Sequence, residues 1–479
     1  MAKERTTTES RVERVRKLLK SPNARIQALM SVLHPTEIAQ VLEDTPREIQ
    51  LRIVRELPRD VLSEAITEMD EEAYPGQLLL LLNPQVAANI LKTLAFDDGA
   101  DLLAELPEEE QAKILYYMSD EDEDVLNQLL EYDEDTAGGL MNPEVVFVRE
   151  NMSKLEALRQ VVAQSEEMEE FYTIYVVDDD QKLLGYLTFR SLFVSRNTEL
   201  IKNIMGDDIV SVPVDMDQED VSKIMLQYNF PTLPVTDLDG KLLGRVTFDD
   251  VMDVLEEEST EDLLSFAGVS DEENLRGGWS DAVRSRIPWL MINLVTASIA
   301  AFTISQFEST IDQLVLLTTL MPIIAGVSGN GATQTLAVTI RRISTDGVPS
   351  RKILGIILKE ISVGAINGLM LGGIVSLTVA LINSNMPPDF IAMLGLVVFL
   401  ALFGNLMLAG FAGSFIPLML ERVGVDPAVA SSILITAFTD IIGYLLLFGL
   451  AARILLPLVS SLEGAGKSWR LDQTIASIQ

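Results

Sequence analysis

Asp440 sits in the string Thr436-Ala-Phe-Thr-Asp-Ile-Ile-Gly443, with 12 uncharged residues on either side. Placing a carboxylate at the centre of such an apolar stretch costs about 2.5–3.5 kcal/mol in a bilayer, so residues of this kind face a pathway or a partner. The other apolar stretches carry no cation at matching depth, which favours a cation pathway over a neutralising ion pair; the bland alternative is a protonated or helix-capping Asp. A second polar feature at membrane depth is Met321–Gln334, with Pro322, Gly326, Gly329, Asn330, Gly331 and Gln334. Proline and glycine there are expected to free backbone carbonyls, which a bilayer tolerates only inside protein or along a watery cavity. Close helix packing through small residues is the competing reading. A third feature lies outside the apolar half. Asp249, Asp250 and Asp253 crowd against the acids of Val254–Asp271, and like charges so spaced repel unless a cation sits among them.

The cation must be a hard one. Cysteine is absent and His34 is the only histidine, which excludes disulfides, thiolate or imidazole metal sites, cysteine nucleophiles and His-dependent triads. Oxygen ligands remain, and they suit a hard, oxygen-loving cation. Residues 1–275 hold 60 of the 71 acids and 24 of the 36 bases, a net charge of −36, whereas the remainder nets +1. Such a half repels itself, and its compactness should depend on counterions. On charge, nucleic acid and anionic lipid are not expected as partners, whereas cations are. No hydrophobic signal core opens the chain, so the acidic half is expected in the cytoplasm.

Five stretches lack charge over a spanning length of about 20 residues: Trp289–Phe307, Leu314–Ile340, Ile361–Ile382, Phe390–Leu420 and Ala428–Ala452. Arg276, Arg284 and Arg286 precede the first, and Arg341, Arg342, Arg351, Lys352 and Lys359 lie between the second and third. The opposite connections carry no Lys or Arg. The positive-inside rule then puts the N-terminal half in the cytoplasm and the C-terminus outside a multi-pass cell (inner) membrane protein.

Residues 140–254 contain an internal repeat. Leu140-Met-Asn-Pro, Tyr175-Val-Val-Asp and Lys182-Leu-Leu-Gly-Tyr-Leu-Thr-Phe-Arg-Ser-Leu192 recur as Ile204-Met-Gly, Leu233-Pro-Val-Thr-Asp and Lys241-Leu-Leu-Gly-Arg-Val-Thr-Phe-Asp-Asp-Val251. The offset falls from 64 to 59, which places five extra residues near Ser165–Glu170 of the first copy. Each copy reads as a strand, a helix such as Gln218–Tyr228, two short strands joined by a Gly turn, and a final helix. This resembles a pair of CBS domains, many of which bind adenosine nucleotides. Residues 10–130 read as short helices punctuated by Pro46, Pro58, Pro84 and Pro107, several opening with acids as the helix dipole favours. Val254–Asp271 reads as an acidic amphipathic helix leading to the bilayer.

The expected fold is therefore a multidomain membrane protein. An all-α superhelical N domain covers 1–136, an α/β CBS pair 137–253 and an acidic connecting helix 254–275. A five-helix transmembrane domain covers 276–460 and a tail 461–479. In that order these parts resemble the MgtE family of magnesium channels over nearly the whole chain. The strings that carry the resemblance are Ala137-Gly-Gly-Leu-Met141, Val246-Thr-Phe-Asp-Asp-Val-Met-Asp-Val254, Thr260-Glu-Asp262, Gly329-Asn330 with Gln334, Gly424-Val-Asp-Pro-Ala428 and Thr439-Asp-Ile-Ile-Gly443.

The resemblance implies a homodimer that conducts Mg²⁺ into the cytoplasm and closes when cytosolic Mg²⁺ is high. It implies that Asp440 binds the ion in the pore, with Asn330 lining it. Asp250, Asp253, Glu258, Glu261, Asp262 and Asp426 match acids that bind Mg²⁺ between the CBS pair, the connecting "plug" helix and the pore's cytoplasmic face. Asp217 and Glu219 match acids on the CBS side, and Asp97 with Asp101 a pair offered by the helical domain. Three departures stand out: Asn229 in place of an acid, Ala332 in place of a glycine, and Ser191 where an acid often contacts a nucleotide. The last leaves ATP binding open.

The physics points the same way. Mg²⁺ dehydrates reluctantly and prefers one or two carboxylates with retained water, and one Asp per subunit at a two-fold axis supplies two. No P-loop pattern occurs, and one intramembrane Asp cannot form an aspartyl dyad within a chain, so an enzyme is not expected. Co²⁺, Ni²⁺ or Mn²⁺ as the ion, and a CBS-gated transporter of another solute, are the alternatives.

Overall fold

A computed structural model of the chain describes residues 2–19, 25–165, 171–269, 277–346, 351–425 and 427–464. They form two units, 1–258 and 259–479. Asp426 and most of Ser165–Glu170 lie outside the described residues.

In the first unit prolines set the helix starts. Pro46, Pro58 and Pro107 directly precede Arg47–Glu56, Arg59–Thr67 and Glu108–Leu115, and Pro35 and Pro84 open Pro35–Glu43 and Pro84–Leu91. A proline there wastes no helical hydrogen bond, because the first N–H groups are unpaired anyway. Side chains add caps: Asn83 accepts from the Val86 N–H at 2.8 Å and Ser119 from the Asp122 N–H at 3.2 Å. The inward faces supply fully buried Ile38, Leu42, Ile53, Leu62, Ile66 and Ile90.

The repeat folds as two copies of one topology. Strands β1 (Phe147–Arg149), β2 (Ile174–Val177) and β3 (Leu183–Leu187) form one sheet, and β4 (Val212–Pro213), β5 (Thr232–Thr236) and β6 (Leu242–Thr247) the other. In each, the first pair is parallel and the second antiparallel. The two hairpin turns pair reciprocally, with the Leu183 N–H donating to the Gly240 carbonyl at 3.0 Å and the Leu242 N–H to the Gln181 carbonyl at 3.1 Å. The expected glycine turn occurs only in the second copy. Gln181 takes the left-handed position in the first, φ 65° against 81° at Gly240. Asp178 holds that turn by accepting from the Asp180 and Lys182 N–H groups, as Asp237 does in its own copy.

The cores are shared unequally. One apolar cluster runs from the helical domain into the second copy, through Met141, Val212, Val221, Leu233, Val246 and Val251. The first copy keeps its own core of Val146, Val148, Ile174, Val176, Leu187 and Ile201. After β3 the helix is six residues long, Phe189–Val194; after β6 it is twenty, Phe248–Ala267. The sequence suggested separate helices on either side of residue 254. They are one helix, because no Gly or Pro interrupts Phe248–Ala267. Gly268, φ 74°, ends it.

Among the described residues the second unit holds five long helices: Trp279–Ser305, Leu316–Asp346, Ile353–Ile382, Pro388–Val423 and Pro427–Gly464. Among the described residues four segments are long and apolar enough to cross a membrane: Trp279–Ser305, Ile353–Ile382, Pro388–Val423 and Ser432–Ser461. Leu316–Asp346 is 31 residues long but is diluted by Thr318, Thr319, Ser328, Asn330, Thr333, Gln334, Thr335 and Thr339. It departs from expectation in a second way. Pro322 and the glycines do not end the helix, although Pro322 has no N–H to give to the Thr318 carbonyl.

Pro388–Val423 is the most buried of the five. Ile353–Ile382 approaches it through Gly364, Gly368 and Gly372, a four-residue spacing that lets two backbones meet. A Cβ on Gly364 would lie 2.3 Å from the Leu406 carbonyl oxygen. Gly364→Val is therefore expected to prevent assembly, read as loss of the monodisperse peak in detergent; a normal elution profile and unchanged Tm would contradict this packing.

Candidate functional site

The acids of the first unit converge. Asp97 and Asp101 share the helix Phe96–Ala104. Asp97 accepts from the Asn142 side-chain amide at 3.2 Å, and Asn142 pairs its backbone with Arg245 of β6. Asp250 lies at the start of the helix after β6 and is held by both the N–H and the hydroxyl of Thr247. Burial pushes Asp97 well above the usual carboxylate range, and the charges of Asp250 and Asp98 push further. Asp101 is pushed up to about 8, first by loss of water and then by Glu71, Asp98, Glu134 and Asp250, although solvent still reaches one side of it. Asp250 is raised by burial, against the pull of Thr247. Asp253 is raised by burial and by Asp249, Glu256 and Glu68, and it in turn raises Glu71.

A second group surrounds Glu258. Gln218 donates its side-chain amide to Glu258 at 2.9 Å, and Asp217 and Glu219 push the Glu258 carboxyl up, after burial. Asp217 caps the helix Gln218–Tyr228 by accepting from the Glu219 N–H at 2.9 Å. Glu219 is paired with Lys223 at 2.8 Å, so a cation arriving at Glu219 competes with an ammonium. Glu261 and Asp262 lie further along the same long helix as Glu258.

Asp97, Asp101, Asp250 and Asp253 thus form one group and Asp217, Glu219 and Glu258 a second, while Glu261, Asp262 and Asp440 belong to neither. Glu71, Glu134, Asp135 and Glu257 join through contacts remote in sequence. The signal for two of them was Glu134-Asp135 beside the Ala137-Gly-Gly-Leu-Met141 string. Glu105 is also pushed up, to about 7, by burial that outweighs the Gly76 and Gln77 N–H groups donating to it. Among the described residues no three carboxylates stand close enough to cage a bare ion. Carboxylates spaced this way can still meet a cation through its water shell.

The departures have local explanations. Asn229 has φ 53° and ends Gln218–Tyr228 in the left-handed conformation that Asn tolerates better than most residues. Ser191 is occupied locally, its hydroxyl donating to the Thr188 carbonyl at 2.8 Å. Ala332 is fully buried, with its carbonyl oxygen 2.6 Å from where a Cβ on Gly413 would be.

In the second unit Asp440 is half-buried on the last long helix. Ile435 on that helix clusters with Ala332, Leu336 and Ile340, whereas Gly443 is covered by Ile324. The two helices therefore run antiparallel, and Asp440 falls level with Ser328 and Asn330. Pro322, Gly326, Asn330 and Gln334 repeat every fourth residue and are all exposed in the protomer, so they share one helix face. A Cβ on Gly326 would meet nothing within 4 Å.

The comparisons with known proteins follow the same division. A family model described as "Divalent cation transporter" matches residues 321–450, the "MgtE intracellular N domain" matches 33–135, and "CBS domain" matches 137–195 and 201–257. These matches define a divalent cation transporter domain that follows an intracellular helical domain and a CBS pair in the sequence. The magnesium transporter MgtE of Thermus thermophilus is 32% identical over 440 residues, 91% of this chain and 96% of that one. The Enterococcus faecalis protein of the same name is 34% identical, covering 69% of this chain and 71% of that one. The chain belongs to the MgtE family. The cytosolic domain of the Mg²⁺ channel MgtE in complex with ATP is also similar, at 33% identity, 47% of this chain, 92% of that one and a TM-score of 0.44.

Proposed function

We propose that this chain forms a Mg²⁺ channel that admits magnesium to the cytoplasm and is closed by Mg²⁺ bound to its own cytosolic acids. The observation that carries the reading is Asp440, a carboxylate amid 12 uncharged residues on each side, level with Asn330. Two protomers related by a two-fold axis bring two Asp440 carboxylates to one hydrated ion. The exposed stripe of Pro322, Gly326, Asn330 and Gln334 supports the homodimer, since it puts polar groups and small residues where a second copy and a water-filled path can use them. The topology in this reading has five spans, the acidic half in the cytoplasm and the C-terminus outside. Rescue of a Mg²⁺-auxotrophic strain, with Co²⁺, Ni²⁺ and Mn²⁺ as competitors, tests it; failure to rescue, or rescue by another divalent ion alone, would overturn it.

Closure uses the acid groups. Without the ion the charge of Asp250 presses on Asp97 and Asp101, whose carboxyls answer by holding protons, and Asp217 and Glu219 press on Glu258. Mg²⁺ bridging them, with Asp253, Glu261, Asp262 and Asp426, draws the cytosolic part together and acts through the long helix on the pore. Ligand binding shifts such an equilibrium by its preference for the compact state. ATP is a candidate modulator because the related cytosolic domain named above was solved with it.

Protons should compete with the ion. Asp101, at about 8, and Glu105, at about 7, carry protons near neutrality, and a cation binding beside them must displace protons. The Mg²⁺ midpoint for compaction is expected to fall as pH rises from about 6.5 to about 8. Without Mg²⁺ the sign reverses. Carboxyls raised in the folded state bind more protons than the unfolded chain does, so the packed cluster loses stability as pH climbs from the ordinary carboxylate range to about 8. Intrinsic fluorescence titrated with Mg²⁺ at both pH values checks both signs.

A further inference from the structure

The bundle of long helices contains a buried polar spot that the pore reading does not use. Asn405, on Pro388–Val423, is 0% exposed, and both its amide oxygen and its amide nitrogen lack a protein hydrogen-bond partner. Ser328, on Leu316–Asp346, is also 0% exposed, and its hydroxyl is likewise unpartnered. Hydroxyls elsewhere in these helices, such as those of Thr333, Thr335, Thr339 and Ser414, donate to carbonyls of their own helix. Buried amides and hydroxyls are ordinarily satisfied, and an exception calls for a small polar ligand or water.

The place is specific. The Asn405 amide nitrogen lies 2.6 Å from where a Cβ on Gly443 would be, and Ile324 Cγ2 lies 3.3 Å from the same point. Glycine at 443 therefore makes the room that Asn405 occupies. Gly443 is three residues after Asp440, which puts both on neighbouring positions of one helix face. Ser328 is four residues after Ile324, again on one face, and level with Asp440. Three helices thus bring two unpartnered polar side chains to within about one turn of the pore carboxylate. Because both are fully buried within one protomer, a second copy of the chain cannot supply their missing partners.

We propose that Asn405 and Ser328 hold water that hydrogen-bonds toward Asp440, so that Asn405 is a positioning residue for the hydrated divalent cation. The inference rests on the reading of Asp440 as the ion site. A water held by an amide on one side and a carboxylate on the other fixes the carboxylate's orientation without adding charge. It also favours an ion that keeps its own water shell, which Mg²⁺ does more stubbornly than the larger Ca²⁺.

The test uses the full-length protein in proteoliposomes, with Mg²⁺ and Ca²⁺ as the permeating ions. Asn405→Leu keeps the volume and removes the polar atoms. Its Tm is expected to equal or exceed that of the unaltered chain, while Mg²⁺ flux falls at least about tenfold and preference over Ca²⁺ narrows. Ser328→Ala should act in the same direction by about threefold, and Asn405→Ser, which can still bind water, should recover part of the loss. Wild-type flux and selectivity in Asn405→Leu would overturn the proposal. If that variant does not assemble, unchanged selectivity in Ser328→Ala overturns it instead. Asp440→Ala separates the two levels: flux retained there defeats the pore reading itself. Flux lost there but intact in Asn405→Leu defeats only this inference.

Discussion

Asp440→Ala is expected to abolish Mg²⁺ uptake while leaving the folded assembly intact. At about 4.5 Å, through one water layer, and an effective dielectric near 20, a carboxylate attracts a dication by about 7 kcal/mol. Two-fold symmetry removes two such charges with one substitution. Loss of even a fraction of that attraction exceeds the roughly 2.7 kcal/mol that corresponds to a hundredfold fall. Assembly should survive because Asp440 is half-buried and has no cation at matching depth; removing it relieves a desolvation cost rather than breaking a pair. ²⁸Mg²⁺ uptake and elution volume are read on the same preparation. Uptake at the level of the unaltered chain would remove the basis of the proposed function.

Millimolar Mg²⁺ is expected to protect residues 1–275 of the full-length protein from limited proteolysis, a change visible as persistence of the intact band. The argument is the −36 charge of that half and the elevation of Asp97 and Asp101, where the charge of Asp250 adds to burial; a counterion relieves both. Neutralising the three together with Asn should produce the protected form without Mg²⁺ and abolish the ion's effect. Cleavage that ignores Mg²⁺ in the unaltered protein would count decisively against a clamp. The triple variant distinguishes specific bridging from general screening, because it leaves most of the −36 in place.

Much of this was legible in the residues. The repeat was visible because Thr188-Phe and Thr247-Phe recur in the same surroundings 59 residues apart, and the helix starts because proline marks a first turn. Asp440 was visible because one charge in an apolar run has no local competitor. What the sequence hid was of a different kind. Glu71 and Glu134 join Asp101 only through tertiary packing, which leaves no periodic trace. Asn405 lies in a run of apolar residues where a single amide reads as noise until the burial of both its polar atoms is seen. The long helix through residue 254 was divided on domain expectation, although nothing in Phe248–Ala267 breaks a helix. Pro322 and the glycines suggested an interrupted segment, yet the helix continues past them, with Pro322 leaving the Thr318 carbonyl without its helical donor.

The two CBS copies, alike in topology, have become unequal heirs of one duplication. The first ends in a six-residue helix and keeps a private core; the second shares its core with the helical domain and runs on into a twenty-residue helix. Asp249 and Asp250 stand in the second copy where Arg190 and Ser191 stand in the first. Substitutions in the first copy's core are thus insulated from the acid groups, while those in the second reach them directly. A strained residue in the first copy is absorbed within that copy, while one in the second is felt along the helix it carries.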